Sequence, residues 1–256
     1  MSTRERFQQT MGDVRTAPAV ELRGVSHLYG RRETAVRALD NVDVQFATGS
    51  WTAVMGPSGS GKSTLLHCAA GLERVTEGQV IIAGQDISAA SDAELTELRR
   101  GPVGFVFQSF NLIASLTAAQ NVAMPLRLAG RRPGRQEVHG ALAAVGLADR
   151  ARHRPRELSG GQQQRVAVAR AMVTRPAVLF ADEPTGALDT RAARSLLDLL
   201  RSMVDHNGQT IVMVTHDPAA AATADRVLFL RDGRLVDRLE RPSARAVADL
   251  LASWDA

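Results

Sequence analysis

Apolar residues in this 256-residue chain gather in short runs separated by stretches of helical spacing. Trp51–Met55, Val103–Phe107, Ala177–Ala181, Thr210–Val214 and Arg226–Leu230 are mostly apolar along their length, the pattern of strands buried on both faces. Between them lie Lys62–Ala70 (closed by Gly71), a segment ending at Arg100, one from Gly161 to Val173, Arg191–His206 and a short piece near Ala219–Ala224, all with helical spacing. Such alternation predicts a parallel sheet covered by helices on both faces. Ahead of it, Val20-Glu21-Leu22 and Val42–Phe46 are β-type runs that predict an antiparallel element, and Gln79–Ile82 is a further strand.

Between Asn111 and Glu157 the strand signal disappears. Ser91 with Glu94, and Thr117 with Gln120, have the spacing of capping boxes at helix starts. Glu137–Val145 has helical spacing, and Gly130-Arg131-Arg132-Pro133-Gly134 interrupts the stretch. The expected organisation is a disordered lead over 1–18, a body over 19–242 with a helical subdomain inserted at about 109–160, and a helical tail over 243–256.

Composition narrows this only a little. Hydrophobic content of 45% with 23% charged residues is that of a globular chain. A net charge of +4 does not choose between nucleic acid and anionic lipid as a neighbour. The single cysteine, Cys68, excludes an internal disulfide and a cysteine-cluster metal site. Its place after Leu65, Leu66 and His67 makes it a buried small residue. No run approaches the roughly 18 apolar residues of a membrane span. Met1–Ala17 alternates arginine, glutamine and acid without an apolar core, unlike a secretory signal. A cytosolic product is expected, with any membrane role requiring a partner that spans.

Candidate chemistry changes the picture. Lys62 is the only lysine, although lysine and arginine together number 31. It closes Gly56-Pro57-Ser58-Gly59-Ser60-Gly61-Lys62-Ser63, a G-x-x-x-x-G-K-S run followed by Thr64. Glycines let backbone N–H groups converge on phosphate oxygens, and the helix after them aims its positive end at the same point. A compact ammonium fits inside such a loop where a flat guanidinium does not. Lys62 is expected on the β- and γ-phosphates and Ser63 on Mg²⁺. A second apolar run, Val178–Ala181, delivers Asp182 and Glu183 at its carboxyl end, where ligands bind in open α/β sheets. Asp182 is expected to hold Mg²⁺ and Glu183 to orient or deprotonate the attacking water. A third run, Leu158-Ser159-Gly160-Gly161-Gln162, opens a helix with bare N–H groups suited to an anion, yet has no lysine or metal ligand of its own. It is half a site, which two copies meeting about a two-fold axis would complete.

The loop at 56–63, Gln108, LSGGQQQR at Leu158–Arg165, the acids 182–183 and His216, in this order, resemble the ATP-binding cassette (ABC) family over about Val20 to Arg238. The resemblance implies an α/β P-loop nucleotide hydrolase core with a mostly parallel sheet, an antiparallel β subdomain and an inserted helical subdomain. It implies a head-to-tail homodimer around two Mg-ATP, with the glycine loop of one chain facing Ser159, Gly160, Gly161 and Gln162 of the other. Gln108 would sense Mg²⁺ and water, His216 would contact the γ-phosphate and steady Glu183, and Asp189 would lie in the loop crossing the dimer interface. Tyr29, the sole tyrosine, stands where the family stacks an aromatic ring on adenine.

Gln108–Leu112, Leu116–Val122 and Glu183–Asp189 are most similar to the lipoprotein-release and macrolide-export branch (the LolD and MacB type), with the cell-division FtsE type close. That branch docks on a permease with few spans and a large extracytoplasmic domain, so Phe110 and Leu112 would line a groove for a permease helix at the cytoplasmic face of the membrane. Arg156 departs from the pattern, which has a small residue there. Soluble cassettes that act on nucleic acid carry a long coiled coil, or two cassettes in one chain, and neither pattern is present in this sequence. The arginines at 131, 132, 135, 150, 152, 154 and 156 are read as a solvated face beside the membrane, and no nucleic-acid partner is expected.

Overall fold

The computed structural model describes residues 17–30 and 35–254, so residues 1–16 of the expected lead lie outside the described residues. The chain begins with β1 (Pro18–Tyr29), β2 (Val36–Ala47) and β3 (Trp51–Met55), then α1 (Lys62–Ala69), β4 (Glu77–Ile82), β5 (Gln85–Asp86), α2 (Asp92–Arg100) and β6 (Val103–Val106). Three helices follow with no strand between them: α3 (Ala118–Leu128), α4 (Arg135–Ala144) and α5 (Gly160–Met172). Alternation then resumes with β7 (Val178–Asp182), α6 (Thr190–Asn207), β8 (Thr210–Val214), α7 (Pro218–Ala221), β9 (Arg226–Arg231), β10 (Arg234–Glu240) and α8 (Ala244–Ala252). The α/β class with a mostly parallel sheet is as expected.

Two sheets form. One is antiparallel, in the order β2-β1-β4-β5. The other has the order β10-β9-β3-β8-β7-β6 and is parallel except for β10. Successive side chains along a strand point to opposite faces, and the parallel sheet divides its apolar residues that way. Trp51, Ala53, Met55, Leu179, Ala181, Ile211, Met213, Val227 and Phe229 join a core with the helices from α3 to α8. Val54, Val178, Phe180, Val212, Val214, Leu228 and Leu230 join the opposite core, with the antiparallel sheet and Leu65, Leu66, Cys68 and Ala69 of α1. Both faces are dry, which is why these strands read as continuous apolar runs.

The helix starts follow from their caps. Ser91 and Thr117 each close a capping box, with Glu94 and Gln120 respectively. Two strands were not expected. In β10, Leu235 and Leu239 are partly buried among charged neighbours, and an edge strand of that kind carries too little apolar signal to be read; β5 has only two residues. Pro18, expected in the lead, already belongs to β1. The tail helix is not separate from the body: Val247 is fully buried, and Trp254 meets Phe229 edge-on with ring centroids 5.5 Å apart. Replacing the fully buried Phe229 by alanine removes that contact and opens a cavity, so Phe229→Ala should cost roughly 3–5 kcal/mol. Chemical denaturation measures the loss, with a red shift of Trp254 fluorescence in the native baseline.

Candidate active site

The three central parallel strands bring the expected residues to one edge of the sheet. Val214 lies in register with both Val54 and Asp182. The chain therefore leaves β3 at Gly56, β7 at Asp182–Glu183 and β8 at Thr215–His216, all at one level. Sequence distance is erased by the pairing.

The glycine loop is fixed by backbone contacts. A Cβ on Gly56 would stand 1.9 Å from the Leu230 carbonyl oxygen, and one on Gly61 would stand 2.2 Å from that of Ala38. Both glycines have positive φ, 147° and 98°, where a side chain is disfavoured in any case. The Ser60 carbonyl accepts from Gly233 N–H at 3.1 Å, and the Gly233 carbonyl accepts from Asp40 N–H at 2.9 Å. The loop is thus tied to the β9–β10 turn and through it to β2. Ser58 and Gly59 form its exposed tip. Lys62 folds back on the loop, its Nζ donating to the Pro57 carbonyl at 2.7 Å. Burial pushes its pKa down, while the Glu183 and Asp182 carboxylates pull the other way.

Opposite the loop, the Ser63 hydroxyl donates to Asp182 Oδ1 at 3.2 Å. A hydroxyl and a carboxylate so placed are hard oxygen donors of the kind Mg²⁺ takes. Glu183 Oε2 lies 3.1 Å from His216 Nδ1. Glu183 itself sits at φ 46°, a left-handed conformation costing a non-glycine residue about 1–3 kcal/mol. Its N–H donates to the Val214 carbonyl at 2.9 Å, which holds it there. Gln108 reaches the same place from the end of β6: a Cβ on Gly186 would come within 2.7 Å of Gln108 Nε2 and 3.3 Å of Glu183 Oε2.

Tyr29 is 43% exposed at the end of β1, its hydroxyl donating to Glu73 and lying 3.3 Å from Thr64 Oγ1. Its ring is therefore beside the glycine loop's helix. Ser159 caps α5 by accepting from Gln162 N–H, while Gln162 Oε1 accepts from Ser159 N–H at 3.0 Å. The first-turn N–H groups of Gly160 and Gly161 have no intrahelical acceptor. A Cβ on Gly160 would meet Leu188 and Phe110, and one on Gly161 would meet Ala192, so this turn abuts the segment around Leu188. Asp189 caps α6, accepting from Ala192 N–H at 2.9 Å. Arg156 is exposed in a short 3₁₀ turn; nothing in the structure explains it.

The family model described as "ABC transporter" matches residues 39–186. The chain belongs to the ABC transporter family. With that membership goes ABC-type ATP hydrolysis. The cassette is 42% identical to the uncharacterised ABC transporter ATP-binding protein MJ0796 of Methanocaldococcus jannaschii, over 87% of this chain and 97% of that protein. It is 47% identical to the macrolide export ATP-binding/permease protein MacB of Hyphomonas neptunium over 86% of its own length, but spans only 34% of that relative. The solved dimer of MJ0796 in a post-hydrolysis state bound to ADP and Pi superposes with a TM-score of 0.80 at 40% identity, covering 88% of this chain and 99% of that one.

The roles of three residues of this cassette went unread in the sequence, one of them inside the LSGGQQQR run. Gln164 is fully buried and its Nε2 donates to the Phe107 carbonyl at 3.2 Å and to the Pro184 carbonyl at 2.7 Å. It joins the helix behind Ser159 to the chain entering Gln108 and the chain leaving Glu183. Its signal was a polar residue on the apolar stripe of Ala167, Val168 and Ala171. Arg170 donates to the carbonyls of Phe110 and Asn111, both of which have positive φ. His67, one turn after Ser63, lies 3.6 Å from Asp182 Oδ2, and that carboxylate first, then Glu73, raises its pKa against the effect of burial. The Ser63–His67 spacing of four places both on one helix face.

Gln164→Leu keeps the volume but takes the side-chain donor from the Pro184 carbonyl and leaves the Phe107 carbonyl only the N–H of Phe110. It should destabilise the fold by roughly 1–3 kcal/mol, read from urea denaturation midpoints. Gln164→Glu, which can still donate only when protonated, should recover stability at low pH.

Proposed function

We propose that the chain is the ATP-binding and ATP-hydrolysing subunit of a membrane transporter, closing as a homodimer around two Mg-ATP and driving a permease of the MacB or LolD type. The observation that carries this reading is the convergence of Lys62, the Ser63–Asp182 pair and the Glu183–His216 pair at one sheet edge. The Ser159–Gly161 turn is seated against Leu188, Phe110 and Ala192, and in this reading it serves the nucleotide of a second copy. The dimeric state of the MJ0796 relative and the two halves of the printed MacB name, ATP-binding and permease, support it further.

In this reading the N–H groups of Gly56, Ser58, Gly59, Ser60 and Gly61 and the Lys62 ammonium cradle the phosphates, with Thr64 at the start of the helix behind them. The Tyr29 ring stacks on adenine. Ser63, Asp182 and Gln108 would hold Mg²⁺, which when bound withdraws charge from the phosphate oxygens. Glu183 accepts a proton from the attacking water as its oxygen bonds to the γ-phosphorus, while the bond to the leaving ADP oxygen breaks. His216 holds the Glu183 carboxylate in line through the 3.1 Å contact. Ser159, Gly160, Gly161 and Gln162 of a second copy close over the γ-phosphate, and Asp189 borders that interface.

Among the described residues no helix is long and apolar enough to cross a membrane. In this reading the cassette works at the cytoplasmic face, docking on a permease through the partly exposed Phe110 and Leu112, with Arg170 bonded to the carbonyls of Phe110 and Asn111 between them. No nucleic-acid partner is needed for this activity.

Glu183→Gln keeps the hydrogen bonds and removes the base, so turnover should fall about 10²–10⁴-fold and the dimer should persist. Gel filtration should show a dimer with Mg-ATP and a monomer without it; a monomer in both would count against the sandwich. Lys62→Ala deletes a charge-assisted contact worth about 1.5–3 kcal/mol. Nucleotide titration calorimetry should show that loss of affinity.

A further inference from the structure

A second cluster lies beside the nucleotide loop, on the antiparallel side of α1. His27 of β1, Cys68 of α1 and Glu73 after α1 each offer one ligand atom, and the three atoms lie within 4.8 Å of one another. We propose that His27, Cys68 and Glu73 form a binding site for a thiophilic divalent cation of the Zn²⁺ class.

The histidine carries the argument. Its Nδ1 is 2.9 Å from the Arg74 carbonyl oxygen. A carbonyl only accepts, so Nδ1 bears a proton, and in the neutral imidazole Nε2 then presents its lone pair. A backbone carbonyl on the far nitrogen is the usual way a metal-binding imidazole is oriented. His27 is only 9% exposed, and Nε2 is buried with no hydrogen-bond partner. That atom points into the cluster, 3.5 Å from Glu73 Oε2. A buried lone pair left bare is costly, and a cation satisfies it.

The spacing fits the cation. Bonds of about 2.0–2.3 Å in tetrahedral geometry put ligand atoms roughly 3.3–3.8 Å apart, so the His27–Glu73 distance needs no change. The thiol lies within 4.8 Å of both other ligand atoms and closes to the same spacing when the metal binds. Imidazole, thiolate and carboxylate together suit Zn²⁺ and are a poor set for Mg²⁺. In the free protein, burial first and then Glu73 push the Cys68 thiol up to about 12. Metal binding therefore releases its proton. Glu73 is already oriented by the Tyr29 hydroxyl and by His67 Nδ1 at 3.2 Å. Its side chain is 31% exposed, which leaves the fourth position open to water.

The chain's single cysteine makes the test specific. Untagged, reduced, metal-free full chain in saturating Mg²⁺ without nucleotide is titrated with Co²⁺ and followed by absorption. The expected result is one equivalent bound with a sulfur-to-cobalt charge-transfer band, displaced by Zn²⁺. Cys68→Ser should abolish the band. His27→Gln should weaken Co²⁺ binding by roughly tenfold or more, with unchanged circular dichroism. Wild-type protein without the band, or a band of equal affinity in His27→Gln, would overturn the proposal. The Ser63–Asp182 pair has only oxygen donors and gives no such band, so the outcome is independent of the nucleotide site.

Discussion

The loop between Gly56 and Gly61 passes through a gap with no room for a side chain at either end. On one side stands the Leu230 carbonyl of β9, on the other the Ala38 carbonyl of β2. Those two strands belong to different sheets. The loop is therefore one of the places where the parallel and antiparallel halves of the molecule meet, and its shape is set by both. A loop that must meet a phosphate chain with its backbone cannot rely on side chains to hold it. Here the tertiary fold does so, through Ser60, Gly233 and Asp40.

The same logic runs through the opposite carboxylates. Glu183 is kept in a left-handed conformation by a hydrogen bond to the end of β8, and the carbonyl of the next residue, Pro184, is held by Gln164. Gln164 sits one turn into the helix that Ser159 opens. That helix is therefore hydrogen-bonded both to the residue after Glu183 and to the residue before Gln108. The half of the molecule proposed to meet a partner's nucleotide and the half proposed to hydrolyse its own share one buried amide.

Much of this was legible in the sequence because the chemistry demands fixed spacings. The strands β3 and β8 were read to the residue, since burial on both faces leaves an unbroken apolar run with polar or glycine-bearing ends. The capping boxes at Ser91 and Thr117 were readable because they are local. What escaped was decided by distant partners. The β10 strand exists because β9 offers an edge, and its charged outward residues hide it. Gln164, Arg170 and His67 were passed over because each acts on a segment remote in the chain: Pro184, Asn111 and Asp182. The cation cluster is of the same kind, since nothing in the local sequence brings His27 to Cys68.

Lysine usage joins the two levels. All other basic positions are arginine, a side chain that spreads its charge over a planar fork and tolerates an exposed, weakly ordered setting. Lys62 is only partly exposed, with its ammonium on a loop carbonyl and two carboxylates within range to offset its burial. A guanidinium there would need acceptors for five donors in a space bounded by backbone. A lysine needs three, and a single flexible stem lets it exchange the Pro57 carbonyl for a phosphate oxygen without moving the loop. The constraint that fixes the glycines thus also fixes the lysine: where the walls are backbone, the one side chain admitted must be the narrowest that carries a positive charge.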